Sequence, residues 1–193
     1  YVLASHFHPD HFNKEVLQWR EQRPDIIYIF SKDILRHRRA QKEDAVWLKK
    51  GEEYKDETLS VRAFGSTDVG VSFLLQASGK KIFHAGDLNN WHWMDESTEA
   101  QWKGAEKNFL HELDDLYAYT PEVDVAMFPV DPRLGKEYMR GAGQFVTKIK
   151  THIFVPMHFT PEYAKANAFR DFAEAHGVRF VSLTHRGQKI EIE

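Results

Sequence analysis

Apolar residues follow two different periods along this chain. Three runs have the length and aliphatic content of buried strands, at residues 2–5, 25–30 and 123–130. Residues 13–22 and 97–117 instead carry apolar side chains at helical spacing. This alternation of strands and helices predicts a mixed α/β protein.

The middle of the chain predicts three antiparallel strands, over residues 58–64, 70–76 and 80–85. Ser78-Gly79 lies between the last two and is typical of a tight turn. Gly177 stands where a helix C-cap is expected. The other predicted elements are helices from residue 31, over 136–150 and over 161–176, and strands over 152–159 and 178–183. No repeat or linker interrupts them, so we predict a single domain over residues 1–193.

Composition narrows the range of functions. The 193 residues are 42% hydrophobic and 28% charged, which is enough for one globular core. A net charge of -3 does not favour nucleic acid as a partner. Without cysteine there is no disulfide, thiolate metal site or cysteine nucleophile, so any metal ligands are His, Asp and Glu. No apolar run approaches the roughly 20 residues of a membrane span, and we expect a cytoplasmic protein without a membrane partner.

Metal-ligating residue types are concentrated in "SHFHPDHF", residues 5–12, directly after the first apolar strand. His6, His8 and Asp10 point the same way in an extended segment because side chains alternate along a strand. Pro9 indicates that the chain then leaves the sheet, which lets His11 turn toward them. Four such groups packed together are costly unless a cation satisfies them. The segment therefore predicts a metal site, with zinc, manganese or iron as the ion.

This segment resembles the H-x-H-x-D-H signature of the metallo-β-lactamase superfamily. "KKIFHAGDLNN" is similar to the family's later strand that ends in Gly-Asp, which maps to Asp87. "HIFVPMHFT" is similar to the strand whose terminal histidine completes the second metal site, which maps to His158. The strongest likeness is to the lactonase-like and phospholipase-like branch of stand-alone metal-dependent hydrolases.

The resemblance implies a fold and a set of ligands. The fold is an αββα sandwich with mixed sheets. One metal would bind His6 and His8, the other would bind Asp10, His11 and His158, and Asp87 would bridge them. The cofactor is then one or two divalent ions, with zinc expected first.

The sequence departs from the family pattern in two ways. The family supplies a third histidine to the first site, but the corresponding "AFGSTDVG" has none. Asp68, Ser66 or water can substitute, or His84 can reach in, although strand alternation favours a core or supporting role for His84. The family's strands before the signature are also missing from this sequence. We expect either that the chain is a fragment or that another chain, as in a homo-oligomer, covers that surface.

The loop after Asp87 offers a substrate pocket. Asn89, Trp91 and Trp93 follow it directly, and the indole rings can stack on a planar or sugar-like group. Alternatively, the tryptophans anchor the loop to the next helix.

The resemblance implies hydrolysis of a small-molecule ester, lactone or phosphodiester by metal-activated water, with Asp10 as the catalytic residue that orients the nucleophile and accepts its proton. Three alternatives remain open. They are a non-enzymatic metal-binding or regulatory protein with an incomplete first site, an RNA-processing nuclease, and a di-iron oxidoreductase. The last usually has Glu in place of the second histidine, so His8 favours hydrolysis.

Overall fold

Ten strands form two sheets in the computed structural model, which describes residues 1–191. The first sheet contains β1 (Val2–Ala4), β2 (Tyr28–Ser31) and β3 (Val46–Leu48) in that order, all parallel. The second sheet has the order β10-β9-β8-β7-β6-β5-β4. Its strands are β4 (Glu53–Lys55), β5 (Ser60–Phe64), β6 (Ser72–Ala77), β7 (Lys80–His84), β8 (Glu122–Pro129), β9 (Lys150–Met157) and β10 (Arg179–Phe180).

Helices cover the outer faces of both sheets. Five are α-helical: α1 (Lys32–Arg36), α2 (Glu99–Tyr119), α3 (Arg140–Lys148), α4 (Tyr163–Asn167) and α5 (Arg170–Ala175). Three segments are 3-10 helices: Lys14–Glu21, Lys42–Asp44 and Pro132–Glu137. None of the helices within residues 1–191 is both long enough and apolar enough to cross a lipid bilayer.

Strand alternation distributes the apolar side chains between the layers. Ile29 of β2 packs with Phe73 of β6 in a core between the two sheets, whereas its neighbour Phe30 packs outward with Ile34 of α1. On the far side of the second sheet, a third cluster buries Phe109 and other apolar residues of α2. The layers are therefore helix, sheet, sheet and helix. This confirms the predicted αββα architecture, although only the second sheet is mixed.

The predicted hairpin region is confirmed. β5, β6 and β7 pair in antiparallel fashion, and the turn between the last two has positive φ at Ser78 (50°) and Gly79 (76°). Positive φ at both central residues is the geometry that matches the twist of a two-residue hairpin. Gly177 is also left-handed (φ 75°), as expected after the end of α5.

Several predicted elements are shorter in the structure. Residues 13–22 form a 3-10 helix rather than an α-helix, although Asn13 caps it by accepting from the backbone N–H of Glu15 at 3.0 Å. The predicted helix over 161–176 is two short helices, α4 and α5, and the helix over 136–150 is reduced to α3. The final strand keeps only two residues. The short strands β3 and β4 were not predicted.

Two glycines allow loops of the second sheet to contact the end of β1 closely. Gly70 (φ +75°) lies so close that a Cβ there would be 2.1 Å from the carbonyl oxygen of Ser5. Gly86 (φ +55°) would place a Cβ 2.9 Å from Ser5 Cβ. The contact is held by the Val71 N–H, which donates to the Ser5 carbonyl at 3.0 Å. The segment after β1 is thereby fixed against the loops that follow β5 and β7.

Candidate metal centre

The predicted ligands converge where several strands end at one edge of the sandwich. His6 and His8 follow β1, Asp87 follows β7, and His158 follows β9. β7, β8 and β9 are parallel, so their carboxyl ends lie at the same edge. The close contact at Ser5 brings the segment after β1 to that edge as well.

The ligand atoms lie in two groups. In each group they are all within 4.8 Å of one another. The first group is His6, His8, Asp68 and Asp87, and the second is Asp10, His11 and His158. The structure therefore brings all six predicted metal ligands together and places Asp68, one of the predicted substitutes, in the first group.

Asp87 lies between the two groups, and its two oxygens face different partners. Oδ2 is 3.3 Å from His6 Nε2 in the first group. Oδ1 is 3.1 Å from His11 Nε2 and 3.4 Å from His158 Nε2 in the second. A carboxylate in this position can bind two cations at once, one through each oxygen.

Two buried atoms at the centre have no hydrogen-bond partner of acceptable geometry. They are His6 Nε2 and Asp87 Oδ1, on side chains that are nearly or fully excluded from solvent. Since an unpartnered buried polar atom is costly, the site fits a bound cation. Imidazole nitrogens with carboxylate oxygens are the donors that zinc, manganese and iron accept.

A buried aspartate that we did not predict orients His158. Asp131 is fully buried in the loop after β8, and its Oδ2 is 3.0 Å from His158 Nδ1. Because an ionised carboxylate only accepts, Nδ1 donates to Asp131, and in the neutral imidazole the lone pair of Nε2 is left to face Asp87. Arg133 holds the same carboxylate through Nη2 at 2.6 Å. The sequence feature that could have pointed to Asp131 is its position, as a polar residue at the end of a strand that is parallel to the strands leading to Asp87 and His158.

His6 has a similar support. Its Nδ1 lies 3.0 Å from Ser5 Oγ. When the imidazole donates to this hydroxyl, Nε2 is left as the acceptor that faces Asp87. Buttressing of the second ring nitrogen is typical of metal-bound histidines.

The environment shifts the protonation of these groups. Burial lowers the pKa of His11. Burial would raise the pKa of Asp87, but contact with His6 and the charges of His11 and His158 keep it below its ordinary value. Burial would likewise raise the pKa of Asp131, yet hydrogen bonds from His158 and Arg133 lower it to about 2. Both carboxylates are therefore anionic at neutral pH.

The centre opens into a cleft of about 350 Å³. Trp91 and Trp93 line it, with their rings stacked at a centroid distance of 6.4 Å. The indole of Trp91 also packs edge-on against His158 and donates through Nε1 to the carbonyl of Asp87 at 2.8 Å. The two tryptophans are therefore part of the cleft wall.

Asn89 differs from the expectation that it lines the cleft. Its side chain is fully buried, and its Oδ1 accepts from the Asn90 N–H and lies against Gly141 of α3. Thr67 holds the Asn89 backbone, since its Oγ1 donates to the carbonyl at 2.5 Å. Asn89 and Asn90 thus anchor the loop, while the two tryptophans face the cleft.

His84 lies on the other face of its strand, as alternation predicts. It lines an apolar cavity between the sheets together with Leu3 and Phe73, and its Nδ1 accepts from the Gly86 N–H at 3.1 Å. Burial lowers its pKa. His84 is therefore a core histidine and not part of either ligand group.

A family model described as the beta-lactamase superfamily domain matches residues 1–159, most of the chain. The chain belongs to the metallo-β-lactamase superfamily. The order of the sheets and the positions of the ligand-bearing loops agree with this assignment.

Several solved structures share the fold at low identity. Igni18, a metallo hydrolase from Ignicoccus hospitalis, is 17% identical with a TM-score of 0.61, over 94% of this chain and 75% of its own. A protein from Parabacteroides distasonis, classed as a metal-dependent hydrolase, is 17% identical with a TM-score of 0.60, over 93% and 73%. CmlA, a diiron β-hydroxylase from Streptomyces venezuelae, is 12% identical with a TM-score of 0.57, over 94% and 43%.

These similarities establish the fold of this superfamily member and not its reaction. The three structures include metal-dependent hydrolases and a diiron hydroxylase, so one fold serves different metal chemistries. A search of curated proteins finds no significant match. The reaction has to be argued from the site.

Proposed function

We propose that this protein is a hydrolase that uses one or two divalent metal ions to cleave a small-molecule ester, lactone or phosphodiester. The observation that carries the proposal is the position of Asp87. One of its oxygens lies 3.3 Å from an imidazole of the first ligand group, and the other lies 3.1 Å from an imidazole of the second. A shared carboxylate between two such groups suits a pair of ions that act on one substrate.

His6, His8 and Asp87 would hold one ion, and Asp10, His11 and His158 would hold the other, with Asp87 shared. Divalent ions bound by such ligands lower the pKa of a water molecule from about 15.7 to near 7 and polarise the oxygen of the electrophile. Zinc is the expected ion because imidazoles predominate, and manganese or iron accept the same ligands.

Asp10 is the residue that we assign to proton transfer. Its side chain is 69% exposed, lines the cleft, and places Oδ2 3.5 Å from His11 Nε2. From this position its carboxylate can orient a nucleophilic water and accept its proton, then return it to the leaving group. No separate protein nucleophile is required.

The cleft supports a small-molecule substrate. Its volume of about 350 Å³ is near the lower end of the range for ligand pockets. The stacked Trp91 and Trp93 offer an aromatic surface for a planar ring or a sugar face, and Arg133 adds a cation to the wall. The specific substrate within these classes is left to experiment.

The test is a hydrolysis screen of the metal-loaded protein against a lactone, a phosphodiester and a carboxylic ester, with elemental analysis of the same preparation. We expect bound metal and turnover of at least one class. Asp10→Asn should reduce kcat by at least about 100-fold, because general base catalysis contributes about 10²–10⁴-fold. Asp25→Asn is the matched control, since Asp25 is exposed and paired with Arg23 away from the cleft.

Turnover that persists after removal of the metal, or at full rate in Asp10→Asn, would contradict the proposed mechanism. Metal uptake without turnover of any class would instead favour a metal-binding regulatory protein.

A further inference from the structure

The first ligand group contains two imidazoles, those of His6 and His8, whereas the family pattern has a third. Another side chain can take the place of that third imidazole. Three side chains of this chain were candidates: Ser66, Asp68 and His84. The geometry separates them.

His84 and Ser66 do not meet the requirement. His84 points into the cavity between the sheets and accepts from the Gly86 N–H, so it faces away from the ligand groups. The Ser66 hydroxyl lies 3.4 Å from the Asp68 N–H, and Ser66 is not among the residues that line the cleft. A neutral hydroxyl is also a weaker ligand for a divalent cation than a carboxylate.

Asp68 lies among the ligand atoms. Its Oδ2 is 3.6 Å from His8 Nδ1, and it belongs to the group in which the ligand atoms of His6, His8, Asp68 and Asp87 all lie within 4.8 Å of one another. Ligand atoms at about 2.0–2.2 Å from one ion are separated by roughly 4 Å at most. The group therefore needs only a small contraction to enclose a cation.

A second observation points to a ligand at the same place. His6 is fully buried, and its Nε2 has no hydrogen-bond partner although it faces this group. On the open side, the Asp68 carboxylate is 46% exposed and lines the cleft. On one side of the group lies the buried His6 imidazole with an unpartnered nitrogen, and on the other lies the Asp68 carboxylate at the cleft wall.

We propose that Asp68 completes the first metal site as a direct ligand, in place of an imidazole. This inference rests on the metal binding in the proposed function. It makes the first site a set of two imidazoles and two carboxylates, with Asp87 shared.

The exchange of an imidazole for a carboxylate changes the preference for metals. Oxygen donors favour harder ions such as manganese, whereas imidazole suits zinc. We therefore expect the first site to bind manganese better, relative to zinc, than a site with three imidazoles would. Asp68→His restores the third imidazole and should reverse this preference.

The experiment compares the wild-type protein with Asp68→Asn, Asp68→His and the control Asp25→Asn. Each protein is produced in medium with equal manganese and zinc, its metals are counted by elemental analysis, and the metal-loaded protein is then titrated with a chelator. Melting temperatures confirm that each variant is folded.

We expect two ions per chain in the wild type and in Asp25→Asn. In Asp68→Asn one ion should bind at least about 10-fold more weakly while the other is retained, because loss of even an outer-shell partner costs about 10–100-fold. Asp68→His should retain two ions, with a lower ratio of manganese to zinc.

Retention of both ions at wild-type affinity in Asp68→Asn would overturn the assignment of Asp68, and so would a wild type with one ion whose affinity the substitution leaves unchanged. Either result leaves the proposed hydrolysis to its own test, since the readout is metal content and not turnover. A wild type that binds neither ion would overturn both proposals.

Discussion

Asp131 affects the metal centre without facing the cleft. It is fully buried and bonds the Nδ1 of His158, and Arg133 bonds the same carboxylate oxygen. His158 itself has a left-handed backbone (φ 60°), which is unfavourable for a residue with a Cβ. The bond to Asp131 therefore holds both the orientation and the tautomer of an imidazole in a strained position.

Asp131→Asn should weaken metal binding at the second site by about 10–100-fold, the usual cost of losing a partner of a metal-bound histidine. An amide keeps the shape but loses the charge that fixes the proton on Nδ1. The measurement is a chelator titration followed by elemental analysis. Asp171→Asn, at an exposed position of α5, is the control. Equal metal affinity in Asp131→Asn and wild type would show that the bond does not support the site.

At the scale of single residues, site residues within one contiguous motif were easier to predict from the sequence than residues whose role depends on tertiary contacts. His6, His8, Asp10 and His11 stand within six positions, so their proximity follows from local geometry alone. Asp131 received no role because its position at the end of a strand does not by itself show that its side chain contacts His158. Asn89 was expected to line the cleft but is buried, because the sequence of a loop does not reveal which side chains turn inward.

Among the elements, the connection between β4 and β5 has a carboxylate at its centre. Asp56 accepts from the hydroxyl groups of Tyr54 at 2.6 Å and Tyr1 at 2.7 Å, and from the backbone N–H groups of Thr58 and Leu59. These hydrogen bonds, chiefly that of Tyr54, hold the pKa of Asp56 well below its ordinary value. The Asp56 hydrogen bond in turn raises the pKa of Tyr54 to about 12.

Asp56→Asn should lower the melting temperature at pH 7, and the difference from wild type should narrow as the pH falls below about 4. The folded pKa of Asp56 lies below its unfolded value of about 3.9, so its stabilisation is present above that value and is lost as the pH falls toward the folded pKa. Circular dichroism melts between pH 3 and 7 measure this. Glu57→Gln, an exposed neighbour, controls for net charge. A difference that does not change with pH would contradict the prediction.

The elements with strong local signals were the ones predicted well. β5, β6 and β7 are short apolar runs, with the two-residue turn Ser78-Gly79 between the last two, and α2 carries a continuous helical stripe. The predicted helix over 161–176 is interrupted instead. Near the break, the Asn167 side chain donates to the Leu183 carbonyl at 2.8 Å and accepts from the Leu183 N–H at 3.1 Å. These two hydrogen bonds also satisfy the backbone N–H and carbonyl of Leu183, a residue that was predicted to lie in the last strand. Neither effect has a signal in the local sequence.

For the molecule as a whole, the candidate centre connects the two layers. His6, His8, Asp10 and His11 follow β1 of the first sheet, whereas Asp68, Asp87 and His158 lie in loops of the second sheet. Ions shared between these segments would bind the folded chain and not the unfolded one. Metal binding should therefore be linked to stability.

Removal of the metal with a chelator should lower the melting temperature. A ligand at 100 times its Kd stabilises by about 2.7 kcal/mol, which corresponds to roughly 5–10 °C for a domain of this size. Calorimetry with and without chelator gives the shift, and re-addition of zinc or manganese should restore it. Asp87→Asn should reduce the shift, because Asp87 contacts both ligand groups. Identical melting curves with and without chelator would contradict this link.

The close contact at Ser5 means that the opening motif cannot be transplanted by itself. Gly70 and Gly86 let two loops lie against the segment that carries His6, since a methyl group would collide with the Ser5 carbonyl at Gly70 and with the Ser5 side chain at Gly86. A designer who grafts residues 5–12 onto another scaffold would obtain the chelating side chains without the surface that aligns them. The two glycines, which bear no ligand themselves, would have to be grafted together with the histidines.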